Sequence, residues 1–261
     1  MRYELELVSK LSEKNSDKPP LLFVHGMWHA AWCWEEYFMP YFFENGYDVY
    51  ALSLRGHGKS EGKDKVRWFS VSDYVEDISY AVEKIGREPV LIGHSMGGYL
   101  TQKYLETHDA PGAVLLAGVP PHGVIVPSLK VLKERPLTFA KILFTMKLDP
   151  VLELFEDCRK YLFSESLPEE KARKYCELMQ DEAFRAFVEM LIFPIKKSRI
   201  KTKMLVFGAE YDEAVPPSEV VKTARAYNTE AIILPETAHD IMLEPNWENA
   251  AKIILDWLGK L

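Results

Sequence analysis

The stretch VLIGHSMGGYL, Val90 to Leu100, runs an apolar segment straight into a turn that sets Ser95 between glycines. A short apolar run of this kind suits a strand covered on both faces, and the residues after it read as the start of a helix. Gly93 and Gly97 can be the glycines that any sharp strand-to-helix turn uses. The pattern Gly-x-Ser-x-Gly also describes a strained turn that lifts a hydroxyl clear of a sheet and presents it as a nucleophile. That second reading becomes specific only if the rest of the chain supplies a base, an acid and an oxyanion site in the right order.

The segments RYELELV, LLFVHG, YDVYALSL, AVLLAG, KMLVFG and EAIILPE also read as strands. Helical patterns lie between most of them. Asp73 to Ile85 carries Val75, Ile78, Ala81, Val82 and Ile85 at helical spacing, with Gly86 as a natural stop. Asn246 to Leu261 repeats the rhythm with Ala250, Ile253, Ile254, Trp257 and Leu258. Near-continuously apolar strands alternating with helices predict an α/β chain whose mostly parallel sheet has helices on both faces. The alternation fails between about Pro120 and Ile200, where helical patterns are punctuated by Pro127, Pro136, Pro150, Pro168 and Pro194. Its Leu143, Phe144, Met146, Leu152, Phe155, Leu162 and Phe163 exceed what short surface helices need. Residues 1–119 and 201–261 are therefore expected to form an α/β core, with 120–200 as a helical cap over the C-terminal edge of the sheet. Ser12 to Pro20 reads as a polar loop.

With 261 residues, 48% of them apolar, the chain can fill the core of one large domain carrying an insertion. A net charge of −7 and no dense basic cluster argue against a nucleic-acid partner. The longest stretch free of Lys, Arg, Asp and Glu, Ala110 to Leu129, has the length of a membrane span. Pro111, Pro120, Pro121 and Pro127 with Gly123 break any continuous helix there, so a strand followed by a loop is expected, without stable membrane insertion. The opening MRYELELVSK interleaves charges and has no signal-peptide core, which predicts a cytoplasmic protein. Cys33, Cys158 and Cys176 are odd in number and far apart, so each reads as a small buried side chain rather than part of a disulfide framework. Glutamine occurs only at Gln102 and Gln180 beside abundant Lys and Glu, a balance that suits a hot environment.

Ser95 follows the strand PVLIGH, Asp212 follows KMLVFG within GAEYDEAVP, and His239 follows AIILPE within ETAHDIMLEP. All three map to the C-terminal strand ends, where open α/β sheets gather functional groups. Serine, acid, histidine is also the chain order that goes with such a turn. Together with VHGMWHAAWCW and LRGHGKS, these segments resemble the α/β-hydrolase superfamily over nearly the whole chain, on its serine carboxylesterase and lysophospholipase-like side. The resemblance implies the α/β-hydrolase fold, with Ser95 as nucleophile, His239 as base and Asp212 as the acid that orients it. Glu210, Glu213 and Asp240 are rivals for the acid, and Asp212 is preferred because it precedes Val215-Pro216 as the family acid does. The resemblance further implies an oxyanion hole from the backbone N–H groups of Met27 and Met96.

Trp28 and His29, beside that loop, are candidates for substrate contact, and Trp32, Trp34, Tyr37 and Phe38 divide between core and pocket wall. His25, His57 and His94 read as hydrogen-bonding turn residues, and Asp240 as an acidic neighbour of the base. His25 and His29 have a spacing a zinc helix could use, but no Glu follows His25 and Gly26 suits a loop, so neither metal nor cofactor is expected.

Serine at position 95 means acyl chemistry. A haloalkane dehalogenase would carry Asp there, and peroxidase-type relatives or epoxide hydrolases would differ there or in their pocket tyrosines. The segment HGMWHAAWCW is similar to the plant methylesterase and hydroxynitrile lyase branch, whose lyases place a lysine directly after the catalytic histidine. Asp240 in that place counts against cyanohydrin cleavage. The expectation is a hydrolase of carboxylic esters with apolar acyl groups of short to medium length, acting through an acyl-enzyme as a monomer or homodimer. An acyl-thioesterase or acyltransferase would use the same machinery on an ester or thioester. A small-molecule receptor with little turnover is the alternative of another class.

Overall fold

The computed structural model of the chain describes residues 3–12 and 17–261. Its strands are β1 (Leu7–Lys10), β2 (Leu21–Val24), β3 (Val49–Leu52), β4 (Val90–His94), β5 (Ala113–Leu116), β6 (Met204–Ala209) and β7 (Ala231–Leu234). They form one 7-stranded sheet in the order β1-β3-β2-β4-β5-β6-β7. Only β1 runs antiparallel, against β3, and every other pair is parallel. All residues of β2, β4, β5 and β6 are buried, as a sheet covered on both faces requires.

Helices α1 (Trp32–Glu35) and α2 (Phe38–Glu44) follow β2, α3 (Val71–Ile85) precedes β4, and α4 (Met96–Tyr104) follows it. Between β5 and β6 come α5 (Ile125–Glu134), α6 (Pro136–Thr145), α7 (Phe155–Leu162), α8 (Glu169–Glu177) and α9 (Phe184–Ile192). After β6 come α10 (Pro217–Ala226) and then, past β7, α11 (Trp247–Leu258). Two apolar clusters cover the two faces of the sheet. One carries Phe23, Trp34, Phe38 and Phe42 with α11, and the other Tyr74, Ile78, Tyr99 and Leu100 from α3 and α4.

Local chemistry sets the ends of these elements. Ser70 caps α3 in a reciprocal pair: its hydroxyl accepts from the Asp73 N–H (3.1 Å), and the Asp73 carboxylate accepts from the Ser70 N–H (2.7 Å). Gly86 closes the helix at φ 72°, a left-handed stop that costs glycine little. Of the apolar stripe read from the sequence, Ile78 and Ala81 are buried together with Val71, Tyr74 and Asp77. Asp77 goes inside because Arg55 pairs with it at 2.7 Å.

Three expectations are corrected. The strand read over RYELELV forms a ladder only from Leu7; Met1 and Arg2 lie outside the described residues. Upstream, the backbone serves the loop after β3 instead: Glu4 N–H donates to Glu61 Oε2 (2.9 Å) and Ser53 N–H to the Glu6 carbonyl (2.9 Å). The loop expected after β5 gives way to a helix at Ile125, with Pro127 in its first turn, where no intrahelical donor is lost. Cys158 and Cys176 form a disulfide joining α7 to α8, while Cys33 is free and buried. An odd count of cysteines concealed the pair because the third simply packs in the core. Part of the expected loop Ser12–Pro20, residues 13–16, lies outside the described residues. No helix among the described residues is long and apolar enough to cross a membrane.

Candidate active site

The order of the strands decides where a ligand can bind. The chain steps from β2 outward to β3 and then returns past β2 to β4, so a crevice opens beyond the C-terminal ends of β2 and β4. The loop holding Met27 and Trp28 leaves β2, and Ser95 leaves β4, at that point.

Ser95 is the single residue between β4 and α4, and it sits at φ 50°, ψ −116°. A left-handed φ in a residue with a side chain costs about 1–2 kcal/mol and persists only where its surroundings enforce it. Here they do. Ser95 N–H donates to the Leu116 carbonyl of β5 (3.0 Å), and the Ser95 carbonyl accepts from Val119 N–H (3.0 Å).

The flanking glycines act by closeness rather than by an unusual φ. A Cβ on Gly97 would lie 2.2 Å from the Val24 carbonyl oxygen, and one on Gly93 would lie 2.4 Å from the Gly97 carbonyl oxygen. It is the serine that takes the left-handed conformation; the glycines let α4 pack against the end of β2. Met96 opens α4, so its N–H is one of the first-turn donors that no intrahelical carbonyl accepts.

His239, buried, donates from Nδ1 to Asp212 Oδ2 at 2.8 Å. The other Asp212 oxygen accepts from the N–H groups of Ala214 (2.8 Å) and Val215 (2.7 Å), which fixes the carboxylate. Burial lowers the proton affinity of the His239 ring, and the Asp212 carboxylate more than offsets this, so its pKa stands above the ordinary imidazole value. The rival acids have other partners: Glu210 accepts from the Glu236 N–H (2.9 Å), Glu213 pairs with Lys130, and Asp240 accepts from His29 Nε2 (2.9 Å). Ser95 and His239 line one cavity of about 150 Å³ together with Met27 and Trp28. Most of its remaining wall is apolar and comes from the segment between β5 and β6, through Val131 of α5, Phe139 and Ile142 of α6, and Phe184 and Phe187 of α9.

His29 is absent from that wall. It is buried behind the Met27 loop, where its Nδ1 meets the Met27 carbonyl (2.6 Å) and its Nε2 meets Asp240 Oδ2 (2.9 Å). The substrate contact anticipated for His29 is replaced by support of the loop that carries Met27. Asp240, read as a mere neighbour, is fully buried; burial raises its pKa, but His29 outweighs this and holds it below the usual carboxylate range.

His94 donates from Nε2 to the His239 carbonyl (3.1 Å), and burial followed by the neighbouring His239 pushes it down to about 3, so it is neutral. His94, His239 and Asp240 have donor atoms within 4.8 Å of one another. His94 Nε2 and Asp240 Oδ2 are committed to other partners, while His94 Nδ1 and Asp240 Oδ1 are buried without a hydrogen-bond partner.

His25 stays in the loop role expected of it, donating from Nδ1 to the Gly26 carbonyl (2.8 Å) and accepting from Leu54 N–H at Nε2 (3.1 Å). His57 does more than support a turn. It meets Glu182, from the segment between α8 and α9, at 3.2 Å, and both are completely buried. Nothing in the sequence marked Glu182, because its partners His57, Tyr74 and Trp28 are all more than a hundred residues away along the chain.

A model of the alpha/beta hydrolase family matches residues 21–251. By sequence the chain is 34% identical over 115 residues to a non-heme chloroperoxidase of Burkholderia pyrrocinia, a match covering 40% of this chain and 39% of that protein. The chain thus spans about two fifths of the length of the curated relatives it matches first. Among solved structures, an esterase from Exiguobacterium antarcticum superposes with a TM-score of 0.80 at 15% identity, covering 98% of this chain and 96% of the other. A monoacylglycerol lipase from Paleococcus ferrophilus does so with a TM-score of 0.73 at 22% identity, covering 98% of each chain. At these identities the likeness is one of fold.

Proposed function

The chain belongs to the alpha/beta hydrolase family, and from that premise we propose that it is a serine hydrolase cleaving carboxylic esters with apolar acyl groups of short to medium length. The reading rests above all on the strained Ser95 turn opening into the same apolar cavity as a His239 held by Asp212. Residues 120–200 act in it as a cap that excludes water from the acyl group.

In this mechanism Ser95 Oγ attacks the ester carbonyl and passes its proton to His239 Nε2. Asp212, on Nδ1, fixes the tautomer that leaves Nε2 free to accept and stabilises the imidazolium that forms. The oxyanion is met by the N–H groups of Met96 and Met27, and loss of one such donor typically costs about 3 kcal/mol of barrier. His239 returns the proton to the leaving alcohol, which departs as the acyl-enzyme forms. Water, deprotonated by the same imidazole, then releases the acid and restores the serine. A thioester fits the same steps with a thiol leaving, and an acyltransferase would admit an alcohol or thiol in place of water.

The test is a panel of p-nitrophenyl esters and acyl thioesters of graded chain length, run beside Ser95→Ala. The expected result is turnover of esters by the wild type and a loss of about 10⁴-fold or more in Ser95→Ala with the thermal transition retained. A well-folded wild type that binds these compounds without turning any over would favour the receptor reading instead.

A further inference from the structure

Trp28 lies at φ 65°, a second left-handed residue with a bulky side chain in the site, directly after the Met27 whose N–H the proposed mechanism uses. Such a conformation needs to be over-determined by its surroundings. Two of the groups that do so come from the segment between α8 and α9. Glu182 Oε2 accepts from the Trp28 N–H (3.2 Å), and the Gln180 N–H donates to the Trp28 carbonyl (3.0 Å). From behind, His29 holds the Met27 carbonyl, so the peptide joining Met27 to Trp28 is pinned at its oxygen and at its nitrogen.

Both residues of the clamp are themselves anchored, Gln180 to the loop after β3 and Glu182 to that loop and to α3. Gln180 donates from Nε2 to the Gly56 carbonyl (2.8 Å) and accepts from Gly58 N–H at Oε1 (2.8 Å). Glu182 is completely buried, with His57 Nε2 also on Oε2 and with Tyr74 OH (3.0 Å) and Ala183 N–H (2.5 Å) on Oε1. Burial of Glu182 raises its carboxyl pKa, but His57 outweighs this and keeps it below the usual carboxylate range. An ionised acid with every oxygen in use is an expensive way to fill core space, since an apolar side chain would avoid its desolvation. The one partner that lies in the reaction centre is Trp28.

We propose that Glu182 is a positioning residue for the oxyanion loop. Its carboxylate fixes the Met27–Trp28 peptide and so aims the Met27 N–H at the developing oxyanion. The inference rests on the serine-hydrolase reading above and adds to it a residue that touches no substrate. It also makes the second oxyanion donor depend on residues supplied from between β5 and β6. A displacement of a catalytic group by about 1 Å is enough to cost about a hundredfold in rate.

The test compares Glu182→Gln with the wild type for kcat and KM on a short-chain p-nitrophenyl ester. It also measures the affinity of an alkyl boronic acid, which adds to the Ser95 hydroxyl as a tetrahedral adduct. The expected result is a fall in kcat of about tenfold or more, a boronate weakened by a similar factor, and a KM within about threefold. Tyr74→Phe, which loosens only Oε1, serves as control and is expected to keep kcat within about twofold, whatever it does to stability. Should Glu182→Gln not fold, Glu182→Asp keeps the charge beside His57 while drawing the carboxylate back from Trp28, and carries the same test.

A kcat within about twofold of wild type, or a rise in KM that accounts for the whole loss while the boronate binds unchanged, overturns the proposal. If instead the wild type turns over no ester and takes up no boronate at Ser95, it is the serine-hydrolase reading that fails, and the positioning role falls with it.

Discussion

His239 carries its acid on one side and the cavity on the other, and this sets how activity should depend on pH. As the proposed base it would work only when neutral, so kcat/KM is expected to rise with pH through its pKa. Burial works against the proton, but Asp212, with a smaller contribution from Asp240, wins, so the acid limb should have its midpoint above 6.5. Asp212→Asn should bring that midpoint down and lower kcat by about 10⁴-fold, which a pH–rate series on both proteins would read. The glycines give a second residue-scale contrast. Gly86 has open space around it, so Gly86→Ala should cost only the left-handed φ, about 1–2 kcal/mol in a denaturant titration. Gly97→Ala should cost several times more, because its Cβ meets backbone that cannot move aside. Ser95, Asp212 and His239 could be named as candidates from sequence because each sits beside a strand end with a recognisable turn. His29, Asp240, His57 and Glu182 could not be assigned their parts, because each acts through partners that only the fold brings near.

Helices α7 and α8 are the elements whose joining the sequence left unseen. Their disulfide, Cys158–Cys176, spans a separation of 18 residues and sits against the core cluster around Tyr161, Leu162 and Tyr175. Chain-entropy reasoning gives such a closure about 3 kcal/mol. Replacing both cysteines by alanine should therefore lower the unfolding free energy by about that amount, measured by denaturant titration, with KM for a short ester little changed. The parallel strands were legible as unbroken apolar runs, and α3 from its periodicity and its Gly86 stop. Less legible were β1, whose alternation continues into residues that pair with a loop, and the start of α5, where a proline suggested a break that a first helical turn tolerates.

At the scale of the whole molecule, the ends of one sheet position the proposed reacting groups and the segment between β5 and β6 supplies most of the wall around them. An apolar cavity of about 150 Å³ is the size that holds a benzene molecule, so an acyl chain of about six carbons should fill it. A plot of kcat/KM against chain length should peak near that length and fall for longer chains. Ile142→Trp, placed in the cavity wall, should move the peak to shorter ones. The mostly parallel sheet followed from the sequence because buried apolar strands alternate with helices, whereas the cavity's size depends on how the helices between β5 and β6 settle, which no local pattern encodes.

On the proposed mechanism, burial, strain and a paired imidazole make one hydroxyl of this molecule far more reactive than any other. Brief treatment with a fluorophosphonate ester, followed by peptide mass spectrometry, asks this directly. One adduct per chain is expected, on Ser95, forming at a rate that collapses in His239→Ala, with loss of ester turnover in step. An adduct on another residue, or an unmodified Ser95 in a protein that hydrolyses esters, would contradict it.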